Sequence, residues 1–196
     1  PWQHRFDGID GWNLRGAEQP SLLARLGRWS PELADLPREI QPDGSFYWDN
    51  PAFNPPDAAI YYSLIREYRP HAVMEVGTGY STLISSRASL MNGTTRLTAI
   101  DPCPAAFLKE GTPGLDELLP VPVQDVPLVR FEQLIENDIL LLDSTHVSKI
   151  DSDLNHIVFE ILPRLQPGVL VHFHDIFLPW EYRESWVRER HIFWNE

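Results

Sequence analysis

The sequence holds a single cysteine, Cys103, so no internal disulfide framework braces the fold, which suits a reducing compartment. It contains no apolar run of about 18 residues, so no membrane-spanning helix is expected. Positive charge is scarce: Lys and Arg total 16 against 28 Asp and Glu, for a formal net charge of -12 and a pI near 4.9. The few basic residues gather into no patch, which argues against a nucleic-acid-binding surface. Neither an initiator Met nor a signal-peptide pattern precedes Pro1, which leaves the cytoplasm as the default expectation. Internal repeats and low-complexity tracts are lacking as well. A chain of 196 residues nevertheless suffices for one domain, and a domain of this size buries roughly 70% of its unfolded surface.

The most informative segment runs from His71 to Tyr80, HAVMEVGTGY. An apolar run ends in Glu75, a Gly-x-Gly turn follows, and Ser81 and Thr82 open a helical pattern. A parallel strand hands over to a helix in this way where backbone passes close to a ligand. Gly77 and Gly79 lack a Cβ, so they leave room against the main chain, and free N–H groups at the helix start point to the same place. A dinucleotide fingerprint would need a third glycine near position 82, where Thr82 stands. Glu75 before the glycines disfavours a pyrophosphate and suits a cationic ligand.

From this point the chain alternates between strand and helix patterns, the mark of a parallel sheet with covering helices. The expected strands are 72–76, 96–100, 121–126, 139–143 and 169–174. The expected helices are 81–91, 130–135 and 151–165, with a further helical turn near 115–119. A helix over PPDAAIYYSLIREYRP precedes the first strand, with Asp57 as N-cap, a stripe of Ile60, Leu64 and Ile65, and Pro70 as its stop. Residues 1–56 form an irregular extension or cap, rich in Gly and Pro, with Trp2, Trp12, Trp29 and Trp48 and short helices over 21–28 and 31–36. Residues 57–196 form the ligand-binding domain. Ligands of such sheets bind at the carboxyl ends of the strands.

EVGTGYST followed by TAIDP resembles motifs I and II of the class I S-adenosylmethionine (SAM) dependent methyltransferases. NDILLLDSTH and PGVLVHFHDIF are similar to the fourth and fifth strand segments of the small-molecule O-methyltransferase-like branch. The resemblance covers roughly 56–177. It implies an α/β fold, a Rossmann-like doubly wound and mainly parallel sheet, with SAM as cofactor. Gly77, Thr78, Gly79 and Ser81 would cradle the methionine side, with Glu75 near the amino acid moiety or holding the loop through water; Asp101 would accept from the ribose diol, and Asp125, beside Gln124, would read the adenine amino group. Only 21 residues follow Asp175, too few for the strand pair that closes this family's sheet. The missing part is disordered, removed, or supplied by a partner chain, as in a homo-oligomer.

Asp143 and Asp175 end the fourth and fifth strands, which the resemblance makes neighbours. Two carboxylates so close raise one pKa or demand a cation between them, and related O-methyltransferases hold a divalent ion there. Oxygen ligands suit Mg²⁺, although Ile176 stands where the catechol-type relatives have Asn. His172 and His174 share one strand face, His172 as a buried histidine and His174 nearer the edge. Histidine is suited to remove a hydroxyl proton near neutral pH, so His146 and His174, with Asp143, are the candidate catalytic groups, and the sequence leaves open which histidine acts. Trp48, Tyr61, Tyr62 and Trp180 flank the expected cleft. The expected reaction is methyl transfer to a hydroxyl of a small sugar-containing or phenolic molecule. Two alternatives are a metal-dependent hydrolase or oxygenase built on His146, His174 and Asp175, and a SAM-binding module without turnover.

Overall fold

The computed structural model describes residues 2, 5, 6, 11, 13–109 and 111–196, so Trp12 lies outside the described residues. Five strands, β1 (Ala72–Val76), β2 (Arg96–Ile100), β3 (Glu117–Leu119), β4 (Ile139–Leu142) and β5 (Leu170–Phe173), form one sheet in the order β3-β2-β1-β4-β5. Every pairing is parallel. The chain is therefore an α/β protein of the Rossmann-like type, with the loops after all five strands gathered at one edge. Among the described residues no helix is long and apolar enough to cross a membrane.

Helices cover both faces: α1 (Gln19–Gly27), α2 (Pro55–Tyr68), α3 (Tyr80–Asn92), and the short α4 (Ala106–Lys109), α5 (Val129–Glu132), α6 (Asp153–His156) and α7 (Glu184–Arg188). α6 runs on through a wider π-type segment, Ile157–Ile161, and a tight turn at Leu162–Arg164 containing Pro163. Helix α2 begins upstream of the expected cap. Asn54 caps it, accepting from the Asp57 amide at 3.3 Å, because Pro55 and Pro56 have no N–H and suit the first turn. Its buried face is Ala58, Tyr61, Tyr62 and Ile65, while Ile60 of the expected stripe is 40% exposed. Arg69, in the left-handed region at φ 46, ends it before Pro70.

The strand expected over 121–126 is absent, and the segment expected as a helical turn supplies β3 instead. Pro120, Pro122 and Pro127 explain the difference, since proline donates nothing to a ladder and is confined to strand margins. Val123–Asp125 form a single tight turn. β3 is anchored where Leu97 donates to Asp116 Oδ2 at 2.8 Å and Asp116 donates back to the Leu97 carbonyl at 2.9 Å.

Alternation along β1 divides the core. Val73 faces α2, α3 and the N-terminal segment, with Phe46, Phe53, Tyr61, Tyr62, Ile65, Ile84 and Leu97. Met74 and Val76 face the other layer, with Ile100, Phe131, Leu140, Ile157 and Ile161. Residues before α2 are clamped onto the first layer. Arg66 donates twice to Glu32, at 2.7 and 2.9 Å, and Tyr62 donates to the same carboxylate at 2.7 Å. After β5 the described chain forms no further strand. It wraps into an aromatic cluster in which Trp186 meets both Phe177 and Trp194 edge-on at 5.1 Å.

Candidate active site

The turn after β1 is fixed by its neighbours on both sides. Gly77 donates to the Ile100 carbonyl at 2.9 Å, and Asp143 donates to the Val76 carbonyl at 2.9 Å. Gly77 has φ +94, and a Cβ there would sit 1.7 Å from the Asp143 carbonyl oxygen. Only glycine satisfies both conditions. At Gly79 a Cβ would meet nothing within 4 Å among the described residues, so this residue borders open space there. The Thr78 amide and hydroxyl both donate to Asp101 Oδ2, at 3.0 and 2.8 Å, while the Cys103 amide donates to Oδ1 at 2.7 Å. Asp101 thus ties the β1 and β2 loops together at the rim.

Two cavities open along this edge. The first, about 440 Å³, is lined by Gly77, Thr78, Asp101, Gln124, Asp143 and Thr145 among others. The second, about 240 Å³, is lined by Phe53, Thr78, Gly79, Tyr80, Ser81, Phe107 and Asp143, with Ala52 and Ala105. Thr78 and Asp143 belong to both walls. Six expected residues therefore meet here: Gly77, Thr78, Gly79, Ser81, Asp101 and Asp143. Asp125 does not, because it sits exposed on the tight turn after β3. Gln124 lines the cavity in its place and donates to the Asp151 carbonyl at 3.1 Å, bridging two loops.

Glu75 also lies away from the rim. It shares the face of Val73, beneath α2 and α3, and is 0% exposed. Its partners include the Tyr61 hydroxyl at 2.8 Å and the Thr82 hydroxyl at 2.7 Å, with the Ser85 hydroxyl also against it. Burial pushes its pKa up to about 7, against the opposing pull of its hydroxyl donors. The expected aromatic wall is likewise rearranged. Tyr61 and Tyr62 are core residues, Trp48 packs edge-on against Phe46 at 5.5 Å, and Trp180 is 50% exposed. Phe53, Tyr80 and Phe107 line the smaller cavity instead, and the Tyr80 hydroxyl is 3.1 Å from that of Tyr47.

At the ends of β4 and β5 the acids are paired with histidines. His146 is 3% exposed, with Nε2 3.2 Å from Asp143 Oδ1 and Nδ1 hydrogen-bonded to Glu196. Trp194 stacks on the imidazole with centroids 4.1 Å apart. Burial alone would lower the His146 pKa, but the two carboxylates outweigh it and raise it to about 9. His146 is therefore an imidazolium at neutral pH, a poor proton acceptor. His174 is buried against Phe53, centroids 4.8 Å apart, with Nε2 3.6 Å from Asp175 Oδ1. Burial raises the Asp175 pKa, opposed by His174 and reinforced by Asp143. His172 contacts Tyr61 at 5.5 Å, its Nδ1 has no partner among the described residues, and burial pushes its pKa down to about 4.

The expected Asp143–Asp175 metal centre gains no support from the described residues. Among the described residues no three His, Cys, Asp or Glu side chains converge as a metal would require. Both His146 nitrogens are already engaged by carboxylates. The set of His146, His174 and Asp175 fails on the same ground, which removes the support for the hydrolase or oxygenase alternative. Residues not anticipated from sequence include Thr82, Phe53, Phe107 and Glu196. Thr82 carried a signal, a hydroxyl three residues past Gly79, whereas Glu196 is brought in by tertiary folding alone.

A family model described as a methyltransferase domain matches residues 74–176. An uncharacterized protein of Archaeoglobus fulgidus is 37% identical over 133 residues, which cover 65% of this chain and 60% of that protein. No solved structure matches the chain. The matched segment starts in β1, contains the glycine turn, Asp101 and Asp143, and ends just past Asp175, taking in just over half of the sequence. The chain belongs to the class I SAM-dependent methyltransferases, whose cofactor is SAM.

Proposed function

We propose that the protein methylates a hydroxyl of a small, phenolic or sugar-containing molecule, with residues 1–56 acting as a cap over the acceptor. The observation that carries this reading is the pair of cavities meeting at Thr78 and Asp143. Gly77, where a Cβ would collide with the Asp143 backbone, fits a cofactor cradle. The larger cavity, with Asp101 and Gln124 in its wall, suits the adenosine. SAM supplies an electrophilic methyl group. Phe53 from the N-terminal segment, with Tyr80 and Phe107, favours an acceptor with a flat apolar body in the smaller chamber. Holding the acceptor in a near-attack pose is worth roughly 7 to 11 kcal/mol.

Asp143 is the group best placed to receive the hydroxyl proton, since it borders both cavities while His146 holds its Oδ1. A hydroxyl oxygen becomes strongly acidic as its bond to carbon forms, so a carboxylate suffices as acceptor. His146 then acts as a fixed cation, and His174 as the partner of Asp175. Titration calorimetry with SAM, followed by methyl-transfer assays on a panel of phenols and sugars, tests the reading. Binding with turnover on hydroxyl acceptors, lost in D143N, is expected. Binding with no turnover on any acceptor would favour the module without catalysis, and turnover confined to nitrogen or carbon acceptors would overturn the hydroxyl assignment.

A further inference from the structure

We propose that Glu75 positions the cofactor loop at one remove, through Thr82, and that Tyr61 makes helix α2 part of the cofactor site. The inference rests on the SAM reading above for its ligand, but its geometry stands alone. Both Glu75 oxygens are occupied, Oε1 by the Tyr61 hydroxyl at 2.8 Å and Oε2 by the Thr82 hydroxyl at 2.7 Å, with the Ser85 hydroxyl of α3 also against the carboxylate. With no exposed surface, the carboxylate touches neither cavity, and its residue lines neither. A direct contact to a ligand is thus closed off.

The line continues outward from Thr82. Its single hydroxyl proton goes to Glu75, so its lone pairs face elsewhere, and the Gly79 amide donates to it at 3.1 Å. Gly79 borders the smaller cavity, in open space. Tyr61, Glu75, Thr82 and Gly79 therefore form one chain of three hydrogen bonds from α2 to the loop, two of them wholly buried. Tyr61 lies 13 residues before the matched segment begins at 74. The cradle consequently depends on a helix outside the methyltransferase match. Removing one partner leaves a buried donor or acceptor unsatisfied, and such networks respond as units rather than as sums.

The test compares Y61F, T82V, T82S, E75Q and the T82V/E75Q double variant in two measurements, SAM affinity by calorimetry and amide hydrogen exchange of residues 77–81 without SAM. T82V, isosteric but lacking the hydroxyl, is expected to weaken SAM about tenfold or more, equal to about 1.4 kcal/mol. T82S should recover affinity to within about twofold, and the double variant should be no more than about twofold worse than T82V, the signature of one coupled chain. Exchange at 77–81 should accelerate in T82V and in Y61F. Multiplicative losses in the double variant, or wild-type affinity in T82V, would overturn the relay. Unchanged exchange in Y61F would remove α2 from it. If the wild-type protein bound no SAM, the cofactor reading would fall, while the exchange arm would still decide the relay. Should E75Q not fold, the T82V and T82S pair with Y61F decides alone.

Discussion

At the carboxyl ends of β1 and β2 the acids are held by neutral donors, whereas at the ends of β4 and β5 they are held by histidines. Glu75 receives two hydroxyls and Asp101 receives two amides and a hydroxyl. Asp143 and Asp175 instead face His146 and His174. The first half is set by short-range bonds that tie the β1 and β2 loops to each other and, through Tyr61, to α2. The second half is poised on charge, so it responds to pH and to whatever approaches the rim. This division suits the proposed methyl transfer to a hydroxyl, in which one side holds a cofactor and the other accepts a proton. It also separates what breaks each half: steric change in the first, charge change in the second.

The largest expected effect lies in the first half. Replacing Gly77 with Ala places a methyl on the Asp143 carbonyl and forces a strained φ, so G77A should destabilise the protein by about 3 kcal/mol or more. SAM binding should fall at least about a hundredfold. G79A, which meets nothing within 4 Å, should stay within about 1 kcal/mol of the parent. Denaturation and calorimetry on both variants check this. Equal losses would show that the cradle depends on flexibility rather than on the close approach at Gly77.

Next in size is a test of whether the first half carries charge of its own. Glu75 has a folded pKa of about 7 against an ordinary value of 4.5. The folded state therefore holds the proton more tightly than the unfolded chain does. This group's contribution is most favourable at or below pH 4.5, declines as pH rises towards 7, and is level beyond. The span corresponds to about 3 kcal/mol. E75Q, which has no such proton, should flatten the slope of unfolding free energy across that window, measured by urea titration at several pH values. An unchanged slope would mean that Glu75 ionises as freely in the fold as in the unfolded chain.

The legibility of the molecule in its sequence does not follow that division. β4 is readable because ILLLD is a short continuous apolar run, and the glycine turn because an ordered series of strand-end acids accompanies it. Gly77, Thr78, Gly79, Ser81, Asp101 and Asp143 follow from strand ends, and all of them line the cavities. β3 was misplaced because VPVQDV is apolar enough for a strand, while its prolines forbid the ladder. Glu75 was expected at the rim, but alternation along β1 turns it with Val73 into the α2 and α3 layer. The Tyr61 and Tyr62 pair looked like a wall of the cleft because helix phase fixes a buried face only once a neighbour is present. What pairs with His146 was invisible, since Glu196 is 50 residues away in sequence.

That distant partner supplies the smallest of the expected effects and the sharpest test of the second half. The His146 pKa is raised from 6.5 to about 9 by Asp143 and Glu196. The folded state binds this proton more tightly, so the stabilisation is fully present below pH 6.5 and is lost as pH rises through 9. E196Q keeps the shape and one acceptor but removes a charge. Because Asp143 is partly open to solvent, screening reduces the expected cost to about 1 to 2 kcal/mol at pH 7, with little difference from the parent at pH 10. NMR titration of His146 should show its midpoint falling towards 6.5, and urea midpoints at the two pH values should diverge accordingly. If the midpoint stays near 9 in E196Q, Asp143 alone holds the imidazolium, and the tail carrying Trp194 and Glu196 is a cover over the rim rather than part of its charge balance.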